Sequence, residues 1–156
     1  MARITPNLWF DTQALEAADY YVSVFPNSAV TNVSYYGDAG PRPAGSVLNV
    51  AFELDGQPFL ALNGGPEFTF DEAVSFVIDC ADQEQVDYYW SHLADGGIEG
   101  QCGWVRDRFG LWWQVVPAGL PEVLGDPDPE RAQRAMKAML GMSKLDLDAM
   151  RAAAAG

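Results

Sequence analysis

An internal repeat constrains the fold of this chain more than any other feature. The run Leu8-Trp9-Phe10-Asp11 reappears as Phe76-Val77-Ile78-Asp79, and Asp19-Tyr20-Tyr21 reappears as Asp87-Tyr88-Tyr89. Both pairs are displaced by 68 residues, the difference between positions 79 and 11 and between positions 87 and 19. A three-residue match alone could arise by chance, but one offset explains both matches. A repeat at a fixed offset predicts two copies of one structural unit.

Each copy begins with the pattern of a strand followed by a helix. In both, a short apolar run ends in Asp and leads into apolar residues at helical spacing. These residues are Leu15, Ala18, Val22 and Phe25 in the first copy and Val86, Trp90 and Leu93 in the second. The second helix is predicted over residues 83–94.

Further strands complete each copy. Residues 29–36 are rich in β-branched and aromatic side chains, and residues 46–54 alternate between the two faces of a strand. Asp55-Gly56 then predicts a two-residue hairpin turn into a strand over residues 57–62. In the second copy, strands are predicted over residues 73–79, 102–106 and 111–116. The sequence therefore predicts an α+β fold of tandem β-α-β-β-β modules.

The composition changes after the second module towards Pro, Ala and Met. Asp128 is placed to cap a helix whose first turn is Pro129-Glu130. One face of that helix is predicted to carry Ala132, Met136, Met139 and Leu140. We predict a domain over residues 1–120, with modules at about 3–65 and 70–118. A helical tail over residues 121–156 is expected to pack on this domain or on a partner subunit.

The charge and the apolar pattern restrict the partners. The 156 residues carry a net charge of −13, which repels phosphate backbones and anionic lipid surfaces. We therefore expect no nucleic-acid partner and no membrane partner. The first residues lack the basic and apolar runs of a signal peptide, and no apolar run is long enough to span a bilayer. These features predict a soluble cytoplasmic protein.

Few residues could serve as nucleophiles or metal ligands. His92 is the single histidine, and Cys80 and Cys102 do not form a CxxC pair. The sequence thus predicts neither a disulfide framework nor a zinc ribbon. Any metal would need mainly oxygen ligands.

The duplicated β-α-β-β-β pattern, with Asp107-Arg108-Phe109-Gly110-Leu111-Trp112-Trp113-Gln114 before its last strand, resembles the vicinal oxygen chelate superfamily. That superfamily includes glyoxalases, bleomycin-resistance proteins and extradiol dioxygenases, and the resemblance covers about residues 3–117. Three blocks resemble its PhnB-like subgroup more closely, and its members often carry the name 3-demethylubiquinone-9 3-methyltransferase. The blocks are Pro6-Asn7-Leu8-Trp9-Phe10-Asp11, Leu62-Asn63-Gly64-Gly65-Pro66 and the stretch from Cys102 to Gln114.

The resemblance implies two sheets that curve into an open barrel-like cavity, the glyoxalase/bleomycin resistance-like fold. It also implies a divalent metal held by His, Glu or Gln in first and last strands. The corresponding positions here are Thr5, Ala61, Ala73 and Gln114, of which only Gln114 could coordinate. Because such metals need several imidazole or carboxylate donors, we expect no metal and no other cofactor.

The resemblance and strand alternation together suggest the residues that line the cavity. They are the aromatic residues Trp9, Trp104 and Trp112 and the neutral polar residues Asn7, Asn63, Ser75 and Gln114. Alternation does not show which strand face the helix covers, so core packing is an equal alternative for the tryptophans. For the hairpin, the family analogy selects the face of Ala61 and Asn63.

The methyltransferase name can be tested against the sequence. Binding of S-adenosylmethionine usually requires a glycine-rich loop between an early strand and helix, and Phe10-Asp11-Thr12-Gln13-Ala14 contains no glycine. The leading hypothesis is a protein that binds an unidentified small molecule without a catalytic metal. One alternative is a divalent-metal-dependent lyase, isomerase or dioxygenase that uses Gln114, and another is a structural role. The tail and the resemblance predict a homodimer.

Overall fold

Each half of the chain folds as one strand, one helix and three further strands, as the repeat predicts. A computed structural model describes residues 1–156 and contains two four-stranded sheets and five helices. The chain divides into two compact units, Met1–Thr69 and Phe70–Gly156. None of the helices is long and apolar enough to cross a membrane.

The first unit contains β1 (Asn7–Phe10), α1 (Ala14–Val24), β2 (Ala29–Tyr35), β3 (Val47–Leu54) and β4 (Gln57–Asn63). Its strands lie in the order β1-β4-β3-β2. The strand β1 is parallel to β4, whereas β2, β3 and β4 pair antiparallel. This order places the first strand of the module beside its last strand.

The core of the first unit lies between α1 and one face of this sheet. Small residues such as Ala17 and Ala18 let the helix approach the strands closely, and Tyr21 stacks on Phe52 with ring centroids 6.3 Å apart. Phe52 stacks in turn on Phe59 of β4 at 5.4 Å. Burying a side chain of this size contributes roughly 1.5–3 kcal/mol.

The hairpin between β3 and β4 has the predicted two-residue turn. Leu54 pairs with Gln57, so that Asp55 and Gly56 alone connect the strands. Their φ angles are 47° and 82°, which is the left-handed conformation that a type I′ turn requires at both positions. The local sequence therefore sets the register of the hairpin.

The second unit contains β5 (Phe76–Cys80), α2 (Gln83–Ala94), β6 (Ile98–Glu99), β7 (Trp104–Arg106) and β8 (Trp112–Pro117). Its order, β5-β8-β7-β6, repeats that of the first sheet. The predicted bounds of α2 are confirmed.

The strands of this unit differ from the prediction. Those predicted over residues 102–106 and 111–116 extend over Trp104–Arg106 and Trp112–Pro117. The strand predicted from residue 73 begins only at Phe76, because Asp71 accepts a hydrogen bond from the Ala73 N–H and forms a turn there. The short strand β6 was predicted as part of a turn. It has two residues and pairs with β7 through Ile98 and Arg106.

Three helices follow β8, and they belong to the second compact unit: α3 (Leu120–Leu124), α4 (Pro129–Leu140) and α5 (Leu147–Ala155). Asp128 caps α4 by accepting a hydrogen bond from the Glu130 N–H, as predicted. The buried centre of α4 is Ala135, however, and Leu140 of the predicted apolar face is 62% exposed. The face differs because α4 packs on α5 through Ala135, Met150 and Ala154.

The segment between α4 and α5 is joined to the second module. The N–H groups of Cys102 and Gly103 donate to the carbonyls of Met142 and Ser143, both at 2.8 Å. Gln83 at the start of α2 donates to the Leu145 carbonyl at 2.9 Å. Leu145 itself is fully buried. A separate boundary at residue 120 remains a prediction.

Candidate functional site

Each sheet has one face packed beneath its helix and an opposite face, which we call the helix-free face. In the first sheet, strand register aligns two rows of side chains on this face. One row is Trp9, Leu62, Asn49 and Ser34, and the other is Asn7, Leu60, Ala51 and Asn32. Apolar and neutral polar side chains therefore make up both rows.

Trp9 is fixed on this face by the loop that follows β4. Its indole N–H donates to the Gly65 carbonyl at 2.9 Å, and the Phe68 ring meets it edge-on with centroids 5.0 Å apart. A side chain at Gly64 would collide with the indole ring, so the absence of a Cβ there allows the close approach. Trp9 is thus a rigid, partly buried aromatic surface.

Asn49 of β3 holds a polar atom that receives no hydrogen bond. Its side-chain oxygen Oδ1 is shielded from solvent and has no partner. The Ser34 hydroxyl donates to the backbone carbonyl of Asn49 at 3.4 Å, not to the side chain. Asn49 was placed in the predicted strand alternation but was not identified as a site residue. The available signal was an amide inside an otherwise largely apolar strand.

Asn63 lies on the opposite face. Its Oδ1 accepts from the Ala14 N–H at 2.8 Å at the start of α1, and its Nδ2 donates to the Val47 carbonyl at 3.2 Å. Ala61 is likewise buried beneath the helix. The structure therefore places the face selected by family analogy under α1, away from Asn7 and Trp9, because its apolar side chains Val50, Phe52 and Phe59 pack beneath the helix.

The helix-free face of the second sheet brings four predicted residues together. The Gln114 amide donates to the Ser75 hydroxyl at 2.9 Å. Trp104 pairs with Gln114 across β7 and β8, and its ring meets that of Trp112 in a T-shaped contact at 6.3 Å. These four side chains are neutral and combine aromatic surface with amide and hydroxyl groups.

A buried carboxyl group shapes the turn that leads into this face. Asp107 is 2% exposed, and its Oδ1 accepts from the backbone N–H groups of Phe109 and Leu111. Its Oδ2 accepts from the indole N–H of Trp113 at 2.8 Å. Trp113 points beneath α2, so that Trp112 and Gln114 point to the helix-free face. Asp107 thereby positions the start of β8.

The residues at the family's metal positions do not fit a divalent metal. Thr5, Ala61 and Ala73 offer no imidazole or carboxylate, and the Gln114 amide is engaged by Ser75. No group of three or more His, Cys, Asp or Glu side chains is arranged to hold a metal ion. His92 lies exposed on α2, with Nδ1 2.8 Å from the Tyr88 carbonyl.

The first unit also has a pocket of about 470 Å³ beside the junction of β1 and α1. Arg42 donates to Asp11 there at 2.8 Å, and the Tyr36 hydroxyl donates to the Asn63 carbonyl at 2.5 Å. No motif in the sequence marks Tyr36 or Arg42 as a site residue. The Ala14 N–H at this junction is already bound by Asn63.

The two cysteines are not paired with each other. Cys80 is fully buried, and this burial raises the pKa of its thiol to about 11. A thiol with so high a pKa is protonated near neutral pH and is a poor nucleophile.

Comparisons with known proteins agree with this architecture. The sequence profile of the 3-demethylubiquinone-9 3-methyltransferase family matches residues 2–116. The PhnB protein of Bacillus cereus, a solved structure named for the same methyltransferase, is 31% identical. The match covers 75% of this chain and 100% of that chain, with a TM-score of 0.69. No curated protein matches this chain.

More distant solved structures share the fold. Protein PA1353 from Pseudomonas aeruginosa is 20% identical, with a TM-score of 0.62 and coverage of 75% of this chain and 98% of that chain. The fosfomycin resistance protein FosX from Listeria monocytogenes, solved with Mn(II) and sulfate, is 15% identical. Its TM-score is 0.52, with coverage of 80% of this chain and 95% of that chain. The predicted resemblance and fold class are thus confirmed.

Proposed function

This chain belongs to the 3-demethylubiquinone-9 3-methyltransferase family of PhnB-like proteins, and we propose that it binds a neutral small molecule without a catalytic metal. The observation that carries the proposal is the composition of the two helix-free faces. They present Trp9, Trp104 and Trp112 together with amide and hydroxyl groups. Apolar surface with a few placed polar groups is typical of small-molecule sites.

The charge of these faces favours an uncharged ligand. The charged residues that alternation places on them, Glu53, Asp79 and Arg106, are exposed to solvent. A charged group removed from water without a buried counter-charge would be strongly destabilised. Aromatic surfaces, by contrast, favour flat apolar molecules through stacking.

One sample tests both halves of the proposal. Protein purified without chelators and without metal-affinity resin is analysed for metal, and mass spectrometry identifies any organic molecule released on denaturation. We expect far less than one metal ion per chain. A metal near one per chain would support the metal-dependent lyase, isomerase or dioxygenase instead, and Gln114→Ala would then be the first variant to examine.

Site variants locate the binding surface if a ligand is recovered. We expect Trp112→Ala and Gln114→Ala to lower the amount of ligand that copurifies. Tyr88→Ala, which removes a partly exposed aromatic ring on α2, is the matched control and should retain it. Equal retention in the variants of β8 would contradict a site on the helix-free face of the second sheet.

The glycine behind Trp9 allows an indirect test. Gly64→Ala introduces a methyl group that collides with the indole ring, so we expect Trp9 to shift and ligand retention to fall. Gly37→Ala is the control, because a Cβ there meets no atom within 4 Å. Retention that is unchanged by Gly64→Ala would argue against Trp9 as a binding surface.

We propose that methyl transfer is not the activity, despite the family's name. The β1–α1 junction lacks glycine, and the Ala14 N–H that could face a cofactor is bound by Asn63. Isothermal titration with S-adenosylmethionine should show no binding at about 1 mM, a concentration that detects affinities near 4 kcal/mol. Saturable binding of S-adenosylmethionine would support methyl transfer as the activity.

We also propose a cytoplasmic homodimer. Val77, Ile98 and Leu140 of the second unit expose more than half of their surface, and a partner copy could cover such apolar side chains. Two unpaired cysteines suit a reducing compartment. Light scattering at micromolar concentration should give twice the chain mass of 17.0 kDa, and a monomer would contradict the dimer.

A further inference from the structure

We infer that Asn49 selects the ligand of the first sheet, by accepting a hydrogen bond from a hydroxyl or N–H group that the ligand supplies. The inference rests on the proposed function and gives it a chemical class. The molecule would be apolar, planar and uncharged, and it would carry a hydrogen-bond donor.

The starting observation is the unmet acceptor. Asn49 Oδ1 is shielded from solvent and receives no hydrogen bond from the chain. Buried polar groups are nearly always paired, and an exception in a folded protein calls for an explanation. Asn also has a low preference for strands, so Asn49 does not favour the formation of β3. Proteins often keep a destabilising residue where their function requires it, and we expect this at a binding site.

The surroundings of Asn49 define the rest of the ligand. The register places Leu62 of β4 between Asn49 and Trp9. Because neighbouring strands lie about 4.8 Å apart, Trp9 and Asn49 are separated by roughly 9–10 Å across the sheet. A flat ring system resting on Trp9 and Leu62 would present its edge to Asn49. Trp9 is held in place by Gly65, so the aromatic part of this surface exists before binding. Oδ1 of Asn49 is covered in the ligand-free protein, so the ligand must displace the atoms that cover it.

The other polar side chains of this face differ from Asn49 in their surroundings. Asn7 and Asn32 are exposed to solvent, so water can serve as their partner. The Ser34 hydroxyl donates to the backbone carbonyl of Asn49. The free acceptor of Asn49 is therefore the group from which a ligand could gain a directional contact, and an acceptor selects for a donor.

A matched pair of probes tests the inference. Phenol and anisole share a flat apolar ring, but only phenol has an O–H donor. Ligand-detected NMR titration of the full chain should show phenol binding about 10-fold tighter than anisole, because anisole leaves the buried acceptor unpaired. In Asn49→Leu the ratio should fall to about 1, with anisole binding kept. Asn32→Leu replaces an exposed Asn of the same face and should keep the 10-fold ratio.

Unfolding in urea tests the unmet acceptor without any ligand. Asn49→Leu should raise the midpoint of the ligand-free protein, because it replaces an amide whose buried oxygen is unpaired by an apolar group. Asn49→Ala provides a smaller replacement should leucine not fit, and it should abolish the preference for phenol in the same way. A lowered midpoint in both variants, together with a preference for phenol that survives in both, would show that Asn49 is paired within the chain and would overturn the inference.

The outcomes distinguish the role of Asn49 from small-molecule binding as such. Equal binding of phenol and anisole to the unaltered protein, or a 10-fold ratio that survives Asn49→Leu, overturns the role of Asn49 and leaves small-molecule binding in place. Failure of both probes to bind, together with a raised midpoint in Asn49→Leu, overturns binding on this face and the ligand class with it.

Discussion

The turn between β7 and β8 depends on one carboxyl group, and its replacement by an amide should be costly. Asp107 accepts three hydrogen bonds, from the N–H groups of Phe109 at 2.8 Å and Leu111 at 3.1 Å and from the indole of Trp113 at 2.8 Å. In Asp107→Asn the shape is preserved, but one oxygen becomes an NH₂ group. At least one of the three donors then loses its acceptor.

The expected loss of stability follows from these contacts. A hydrogen bond to a charged group contributes about 1.5–3 kcal/mol, and a buried donor left unpaired costs about 1–3 kcal/mol. The group is 2% exposed, so water cannot replace the lost acceptor. We expect Asp107→Asn to lower the free energy of unfolding by about 3 kcal/mol. That is a large share of the ~5–15 kcal/mol available to a typical domain.

Urea unfolding followed by tryptophan fluorescence measures this loss, with Asp95→Asn as the control. Asp95 lies near the same turn and pairs with Arg108 at 3.1 Å, but its side chain is 78% exposed, and such surface pairs contribute about 0–1 kcal/mol. Trp113→Phe should cost less in the Asp107→Asn background than alone, because the two residues share a hydrogen bond. Equal costs for the two Asp→Asn variants would refute the reasoning.

Two further predictions concern titratable groups. Cys80 should resist iodoacetamide at pH 8 in the folded protein, because it is buried and its thiol pKa is about 11; mass spectrometry showing equal labelling with and without urea would contradict this. A hydrogen bond from Lys144 lowers the pKa of Asp87 below its ordinary value of 3.8. The pair therefore contributes its full stabilisation above pH 3.8, and this stabilisation is lost as the pH falls through the lowered pKa. Lys144→Met should therefore weaken the fall in melting temperature below about pH 4, and an unchanged slope would argue against the pair.

The elements that the sequence predicted well are those with local chemical signals. Asp55 and Gly56 form the turn of the hairpin because both adopt a positive φ. The helix α2 begins after Asp82, whose side chain caps it by accepting a hydrogen bond from the Gln85 N–H. The strand β6 has no comparable signal. Its two residues become a strand only through pairing with β7, which is a tertiary contact.

The candidate site could be predicted only in part, for the same reason. Alternation correctly groups Trp104 with Gln114, whereas the choice of the face beneath the helix depends on how α1 packs. That packing places Asn63 under α1 as its cap. The unmet acceptor of Asn49 could not be foreseen, because lacking a partner is a property of the surroundings and not of the residue.

The helices after β8 have a consequence for how relatives are compared with this chain. The family match ends at residue 116, but the compact unit continues to Gly156. Ending the chain at the limit of the match would strip the N–H groups of Cys102 and Gly103 of their acceptors and empty the space that Leu145 fills against Gly103. The family match and the compact unit thus end at different residues. A second module that is moved into another protein would therefore need the helices α3, α4 and α5.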